Sequence, residues 1–416
     1  MDPGTRALTL TVTKPVHRLT LTLLLAGLAT LGPFSIDTYL PSFPSIETSL
    51  HASAWQLQQT LSVYLLGFAV MMLFHGSLSD AYGRRPVILI SLIAFALTSL
   101  GAIWVNDIQT LILLRGIQGL SAGAGMIVGR AIVRDVYQGT DAQLLMSRIT
   151  MMFAISPAIA PIIGGWLHNL FGWHSVFLFM SALAVVLFIL CYRYLPETHA
   201  RHRRNHFSLR PLTRNYHEVA SHPHFLLLAA TIACHFAGFF LYIASAPHFV
   251  LDTLHLRSNQ FAHLFMPAIS GVMLGAFLSG RLAGRLSAEG TVRIAYFLLF
   301  TAVSANLIYN SLFVPSWPWA ILPLALYSTG MSLAMPSITL LALDLFPQHR
   351  GLVSSMQGFV QTLLNVIVAG AISPLLSSTP LYLALGMAIF LLSGYAFWRR
   401  YVQLMRKNQT TATLTI

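Results

Sequence analysis

Charge is scarce in this sequence. Only 9% of its 416 residues are Asp, Glu, Lys or Arg, whereas soluble domains carry about 25%. Hydrophobic residues make up 56% of the chain, and the mean hydropathy is +0.70. Because a soluble core could not enclose this much apolar surface, the composition excludes an ordinary soluble protein and predicts a polytopic membrane protein.

Cysteine and acidic residues are also rare. The two cysteines, Cys191 and Cys234, both fall in predicted membrane spans, which disfavours a disulfide framework and indicates apolar packing. Twelve acids stand against 24 Lys and Arg, giving a formal net charge of +12. Since the basic residues lie in short connections on one side of the membrane, we interpret them as topology signals and expect no nucleic-acid partner.

The strict alternation of barrel strands is missing as well, so the fold class is predicted to be all-α. A spanning helix needs about 20 apolar residues, and the chain contains twelve such runs. The predicted transmembrane helices cover residues 18–40, 55–79, 86–105, 108–131, 144–168, 173–194, 225–249, 261–284, 291–313, 317–342, 351–376 and 380–401.

The distribution of Lys and Arg supports an even number of spans with both termini in the cytoplasm. All but two of the 24 basic residues fall on the cytoplasmic side or at its boundary. Arg257 is placed outside, and Arg115 is placed inside the membrane. The connections that contain no Lys or Arg cover residues 41–54, 106–107, 169–172, 314–316 and 377–379.

A polar linker at residues 195–224 divides the chain into two six-helix bundles, residues 1–194 and 225–416. Gly76-Ser-Leu-Ser after the second span has a weaker echo in Gly280-Arg-Leu-Ala after the eighth, which favours a repeat of two pseudo-symmetric halves. The linker histidines admit a metal site or a solvated basic loop. Because no cysteine or carboxylate cluster accompanies them, we favour the loop and predict no metal. They are His199, His202, His206, His217, His222 and His224.

The N-terminus resembles a secretory signal, because basic residues precede an apolar run at residues 19–31. These basic residues are Arg6, Lys14 and Arg18. We predict that the segment is not cleaved, since the run continues to Ile36 and its removal would leave an odd number of spans.

Five segments carry a family resemblance, in the right order along nearly the whole chain. They are residues 36–44 (IDTYLPSFP), 76–85 (GSLSDAYGRR), 114–119 (LRGIQG), 129–135 (GRAIVRD) and 156–165 (SPAIAPIIGG). Together they resemble the major facilitator superfamily, and within it the drug:proton antiporters of the bicyclomycin and chloramphenicol resistance (Bcr/CflA) type. The resemblance implies a multi-pass protein of the bacterial inner membrane, with protons as the coupling ion and no other cofactor.

The turn at residues 76–86 is a candidate gate. By resemblance, it locks the cytoplasmic face shut when the outside is open. Gly76 permits close helix approach and Gly83 a left-handed turn. Topology-setting charge is the alternative, but it explains neither Asp80 nor the glycines. The second-half copy has Gly284 in place of the acid, so the lock is lopsided. The predicted gate residues are Gly76, Asp80, Gly83, Arg84, Arg85, Arg134 and Asp135.

The fifth span carries Pro157 and Pro161, followed by the pair Gly164 and Gly165. Proline removes a backbone hydrogen bond and bends a helix, and small residues let the bent helix lie against a neighbour. By resemblance this segment is a hinge and seal between the halves. A merely kinked packing helix is the alternative.

Asp37 is the one acid of the twelve that we place well inside the bilayer. A bare carboxylate is costly there, so we expect it to face a cavity and to take up and release protons, or to engage a cationic drug. Arg115 cannot readily lose its proton and must find a carboxylate, a carbonyl or water. By resemblance it tunes the protonation of Asp37, and the alternative is a structural ion pair between the two.

Other polar and aromatic side chains in the spans are candidates for the substrate cavity. Hydrogen bonds between helices are the alternative explanation for each of them. The candidates are Phe34, Tyr39, Tyr64, Gln118, His235, Tyr242, Asn306 and Gln361.

The sequence therefore predicts a monomeric secondary transporter that exports small hydrophobic drugs in exchange for protons. A proton-coupled carrier for a natural metabolite, such as an amino acid derivative, is the alternative within transporters. A membrane-embedded enzyme is disfavoured, because no catalytic cluster and no phosphate-binding loop is present. A channel or receptor would not accumulate its substrate against a gradient.

Overall fold

The computed structural model describes residues 18–204 and 207–414. Within these residues it contains twelve helices that are long and apolar enough to span a membrane. Arg6, Lys14 and His206 lie outside the described residues. The spans, numbered 1 to 12 in chain order, are Leu19–Ser49, Ala54–Tyr82, Arg84–Trp104, Ile108–Val136, Asp141–Phe171, His174–Tyr194, Pro223–Ala244, Ser258–Leu282, Ala288–Leu312, Leu322–Asp344, Pro347–Leu376 and Pro380–Lys407.

The prediction of twelve spans is confirmed, but the end of span 1 at residue 40 was wrong. The helix Arg18–Asp37 is followed by a 3₁₀ turn, Leu40–Ser42, and a second helix, Phe43–Ser49. Pro41 and Pro44 are the second residues of these two helical pieces, where a backbone N–H has no acceptor within the helix and its absence leaves no bond unmade. The prolines therefore restart the helix, and Asp37 lies well inside a span of 31 residues.

Side chains fix where several spans begin. Ser53 and Gln56 form a reciprocal capping box at the start of span 2. Asp107 caps span 4 by accepting a hydrogen bond of 2.8 Å from the backbone N–H of Thr110. The hydrogen bonds from Thr110 also hold the pKa of the Asp107 carboxyl below its ordinary value. Span 2 ends at Gly83, which has φ +102°, so the predicted left-handed conformation is present there.

The two halves repeat the same helix pairs. In the first half, spans 1 and 5, 2 and 4, and 3 and 6 are packed together. In the second half, the corresponding pairs are spans 7 and 11, 8 and 10, and 9 and 12. Between the halves, span 2 packs against span 11 and span 5 against span 8. Large apolar side chains such as Phe297, which is 71% exposed, cover the outer surface, as expected for contact with lipid.

The two ends of the bundle differ. We call the end that carries Arg84, Arg85 and the linker the basic face, and the end that carries Trp55 the arginine-poor face. At the arginine-poor face, Gln58 Nε2 donates to Ala244 O (2.9 Å) and Gln59 Nε2 to Gly370 O (2.8 Å). These hydrogen bonds hold span 2 against spans 7 and 11, so the halves are in contact there.

The linker contains a helix, Leu209–Ala220, which corrects the prediction of a solvated loop. Val219 is buried, and the Tyr216 hydroxyl donates a hydrogen bond of 2.8 Å to the carbonyl of Leu73 in span 2. Burial raises the pKa of Tyr216 to about 12. The helix also contacts spans 7 and 11, so the linker touches both halves at the basic face.

Candidate functional site

Arg84 is the centre of an ionic cluster at the basic face. Its guanidinium lies 2.5 Å from Asp80 Oδ1 and 3.1 Å from Asp135 Oδ2, and it donates a further bond of 2.6 Å to Ser79 Oγ. The arginine is 6% exposed. Asp80 lies in the last turn of span 2 and Arg84 is the first residue of span 3, so the tight turn at Gly83 brings the pair together locally, and span 4 then supplies Asp135.

Glu197, which the sequence analysis missed, completes this cluster. Its carboxylate accepts hydrogen bonds from the backbone N–H groups of Arg84 (3.0 Å) and Arg85 (3.3 Å), and it lies 3.4 Å from Arg204. Thr198 in turn donates to Asp135 Oδ2 at 2.9 Å. The available signal was a single acid directly after span 6, in a linker that was interpreted as solvated.

The remaining predicted gate residues do not bind Arg84 and have separate surroundings. Arg85 donates to the carbonyl of Tyr192 and lies over its ring, 5.3 Å from the centroid. Arg134 is not part of the cluster and lines a cavity instead. Gly76 also lines the cavity, and a Cβ there would meet no atom within 4 Å, so no helix approaches Gly76 closely in this conformation, in which the basic face is open. Every partner of Arg84 belongs to the first half or the linker, so in this structure the cluster does not join the two halves.

A cavity of about 370 Å³ opens at the basic face between spans 2, 4 and 11 and the linker helix. Gly351, Leu352, Ser354 and Ser355, near the start of span 11, supply the part of the wall that belongs to the second half. A separate recess of about 400 Å³, lined in part by Glu47, Gln58 and Asp252, lies at the arginine-poor face. The residues lining the cavity at the basic face are Met72, Leu73, Gly76, Ser77, Asp80, Arg84, Met126, Ile127, Arg130, Ala131, Arg134, Asp135, Leu212, Tyr216, Gly351, Leu352, Ser354 and Ser355.

Arg115 is buried inside the first half and is only 1% exposed. Its guanidinium lies between the rings of Tyr39 and Tyr64, at 4.7 and 4.3 Å from their centroids. It also donates to Ser35 Oγ at 3.0 Å and to Gln118 Oε1. Two aromatic faces and two neutral oxygens therefore hold this cation by cation–π contacts and hydrogen bonds.

Asp37 is 4% exposed and is the last residue of the first helix of span 1. It lies near Tyr64, but among the ion pairs of the described residues none joins Asp37 to Arg115. The alternative of a structural ion pair between these two residues is therefore wrong for this structure. Asp37 does not line the cavity at the basic face either.

The candidates for the substrate cavity do not line the cavity at the basic face. Most of these candidate side chains are buried, and they form hydrogen bonds between helices of the same half. The Tyr39 and Thr60 hydroxyls are 2.9 Å apart, and Tyr64 donates to Gly32 O at 3.2 Å. In the second half, Asn306 Nδ2 donates to the Tyr242 hydroxyl at 2.7 Å. The other candidates are Phe34, Gln118, His235 and Gln361, of which Gln118 and His235 are buried.

The glycine pair of span 5 faces two different neighbours. Pro157 and Pro161 lie within one unbroken helix, Gly139–Phe171. A Cβ at Gly164 would overlap the carbonyl of Thr38 in span 1, and a Cβ at Gly165 would overlap the carbonyl of Ser258 in span 8. Gly164 therefore sets the contact within the first half, and Gly165 sets the contact between the halves.

Comparison with known proteins agrees with this architecture. The model of the Major Facilitator Superfamily matches residues 23–369. The chain is 29% identical over 369 residues to a bicyclomycin resistance protein homolog of Haemophilus influenzae, covering 88% of this chain and 92% of that protein. It is 27% identical over 373 residues to multidrug resistance protein D of Escherichia coli, covering 88% and 91%.

A solved structure shares the fold. A bacterial homolog of the human lysosomal transporter Spinster, in an inward-facing and unoccupied conformation, superimposes with a TM-score of 0.73. The match covers 95% of this chain and 98% of that one at 18% sequence identity.

Proposed function

Because this chain belongs to the Major Facilitator Superfamily, we propose that it is a proton-coupled antiporter that exports small hydrophobic drugs by alternating access. The chain is a multi-pass membrane transporter and not an enzyme. The printed names of the relatives from Haemophilus influenzae and Escherichia coli support drugs as the substrate class.

We assign the basic face to the cytoplasm of a bacterial cell, with both termini on that side of the inner membrane. The support is the concentration of Lys and Arg in the connections at that face. In this orientation the cavity of about 370 Å³ is open to the cytoplasm and the halves are in contact on the outer side. This is the state in which an exporter would take up its substrate.

One observation carries the proposal of proton coupling. Asp37 and Arg115 are both buried in the spans of the first half, yet no ion pair joins them. Arginine stays protonated in proteins, whereas a carboxyl group can gain and lose a proton. Asp37 is therefore the group whose charge can change during the cycle, in a part of the protein where a change in charge has a large energetic effect.

During the proposed cycle, Asp37 alternates between a protonated and a deprotonated state. Asp37 takes up a proton when the arginine-poor face is open and releases it after the basic face has opened. Closing the basic face brings the Arg84 cluster toward Gly351 and the start of span 11. Opening the other face separates Gly165 from Ser258. Substrate and proton occupy the carrier in different conformations, so the inward flow of protons drives the outward flow of drug.

The test uses membrane vesicles with an imposed pH gradient and a panel of antibiotics and fluorescent drugs. Asp37→Asn should abolish pH-driven transport, while the variant is inserted and has an unchanged unfolding midpoint. Asp107→Asn is the matched control, because it changes an exposed cap and keeps a good capping residue. Unaltered drug transport by Asp37→Asn would remove this residue from the mechanism.

The same vesicles separate the other functions. Proton movement that is triggered by amino acid derivatives, with no response to the drugs, would favour the metabolite carrier. Substrate equilibration without accumulation would indicate a channel.

A further inference from the structure

Two arginines in the cavity at the basic face take no part in the Arg84 cluster. Arg130 and Arg134 lie four residues apart on the second helix of span 4, Ala124–Val136. This spacing places them on one face of the helix, and both line the cavity. Among the described residues, no carboxylate lies within 4.0 Å of either guanidinium.

The acids of the cavity are already occupied. Asp80 and Asp135 both bind Arg84, and Asp135 also accepts a hydrogen bond from Thr198. Although Asp135 follows Arg134 directly in the sequence, its carboxylate is turned to Arg84. Within the part of the chain that the structure describes, the cavity therefore has two positive charges without a carboxylate partner, and like charges at this spacing repel each other.

The other walls of the cavity are apolar or carry hydroxyl groups. Met72, Met126 and Ile127 supply apolar surface, while Ser77, Ser354 and Ser355 supply hydroxyls. Arg134 extends to Gly351 on the opposite wall, where its Nη1 would be 3.9 Å from a Cβ. Arg134 thus lies between the two halves and Arg130 lines the same cavity, beside a surface suited to a hydrophobic compound.

We propose that this cavity binds organic anions, with a carboxylate, sulfonate or phosphate held between Arg130 and Arg134 and an apolar body against the methionines. The proposal rests on the export function, because it names the substrate class that is admitted from the cytoplasm. Lipophilic cations are disfavoured, since they would meet two positive charges on the way in.

The test compares two fluorescent probes of equal size, N-dansylglycine, which is an anion, and its neutral amide. Binding to the purified protein in phosphatidylcholine nanodiscs is measured by fluorescence anisotropy. We expect the anion to bind about tenfold more tightly than the amide, the equivalent of one charge-assisted hydrogen bond. Added salt should reduce this preference, because the site is open to solvent.

Arg130→Gln and Arg134→Gln should each remove most of the preference while leaving the binding of the amide unchanged. The corresponding lysine variants should keep the preference, because they keep the charge. Arg148→Gln is the matched control, since Arg148 is an exposed arginine of span 5 outside the cavity lining. It should have no effect on either probe.

Equal binding of the two probes by the unmodified protein would overturn the proposal. Loss of the preference when phosphatidylglycerol replaces part of the phosphatidylcholine would assign the arginines to lipid headgroups and would overturn it as well. The experiment does not depend on transport. Preferential binding of the anion by a protein that fails the vesicle test would refute drug export and leave the anion site in place.

Discussion

The two ends of the bundle are held together by different chemistry. At the arginine-poor face, uncharged groups make the contacts, and these contacts cross from one half to the other, as in the bond from Gln59 to Gly370 O. At the basic face, the contacts around Arg84 are charged and stay within the first half and the linker. The closed end therefore depends on the fit of two surfaces. The open end keeps an ordered set of charges on one side of a cavity.

Among the described residues, the second half has no equivalent of that charged cluster. Gly284 has φ +76° and lies in a turn like that of Gly83. Arg281 there lies over the ring of Phe277, 4.9 Å from the centroid, without a carboxylate. Across the described parts of both halves, the backbone turn is repeated, whereas the network of acids around Arg84 is found in the first half and the linker. The turn is therefore kept in the second half without the charges.

The largest effect is expected from Gly165→Ala at the closed end. The added Cβ would overlap the backbone of Ser258, which cannot move aside as a flexible side chain would. We expect the variant to disfavour the conformation closed at the arginine-poor face and to lower transport by about tenfold or more, a change of about 1.4 kcal/mol. Initial rates in vesicles measure this effect.

The matched control is Gly280→Ala, because a Cβ at that helical glycine meets no atom within 4 Å. Equal rates for the two variants would show that the contact between span 5 and span 8 does not limit the cycle.

The next effect is on stability at the basic face. Arg84→Gln leaves Asp80 and Asp135 without their cation, so we expect a loss of about 2 kcal/mol in the free energy of unfolding. Arg285→Gln, in the exposed second-half turn, should leave it unchanged. Unfolding titrations of the detergent-solubilised protein measure both. A destabilisation of similar size in the two variants would remove the distinction between the halves.

The smallest expected effect is a difference in the free energy of unfolding between alanine variants of the two turns, which distinguishes backbone strain from crowding of side chains. Alanine at Gly83 or Gly284 adopts a positive φ, at a cost of about 1 kcal/mol in either half. At Gly83 the new Cβ would also crowd the Glu197 carboxylate and the Arg204 guanidinium. We therefore expect Gly83→Ala to be the more destabilising of the two by about 1 kcal/mol. The same titrations decide this, and equal losses would mean that Glu197 and Arg204 move aside freely.

The sequence was sufficient for the features that depend on local patterns. Apolar runs located the twelve spans, and the resemblance of the turn at residues 76–86 named both Asp80 and Arg84, which form an ion pair. Gly83 was identified correctly as a glycine with positive φ, because its place between two spans required a tight turn.

Features that depend on distant parts of the chain were not predictable. Glu197 is 113 residues from Arg84, and no local pattern indicated that a linker acid would return to the start of span 3. The polar residues of the spans gave no sign of whether they would face a cavity or a neighbouring helix. Tyr39, Tyr64 and Gln118 contact Arg115, because cation–π contacts and hydrogen bonds stabilise a buried guanidinium.

The hydrogen bond from Tyr216 to Leu73 has a consequence for the speed of the cycle. Tyr216 and Leu212 occupy the space between spans 2 and 11 that must narrow when the basic face closes. In the cycle that we propose, the linker helix therefore acts as a steric spacer that has to be displaced before the halves can meet. We expect each turnover to break and remake this tyrosine contact, so that the segment between the two bundles contributes to the activation barrier.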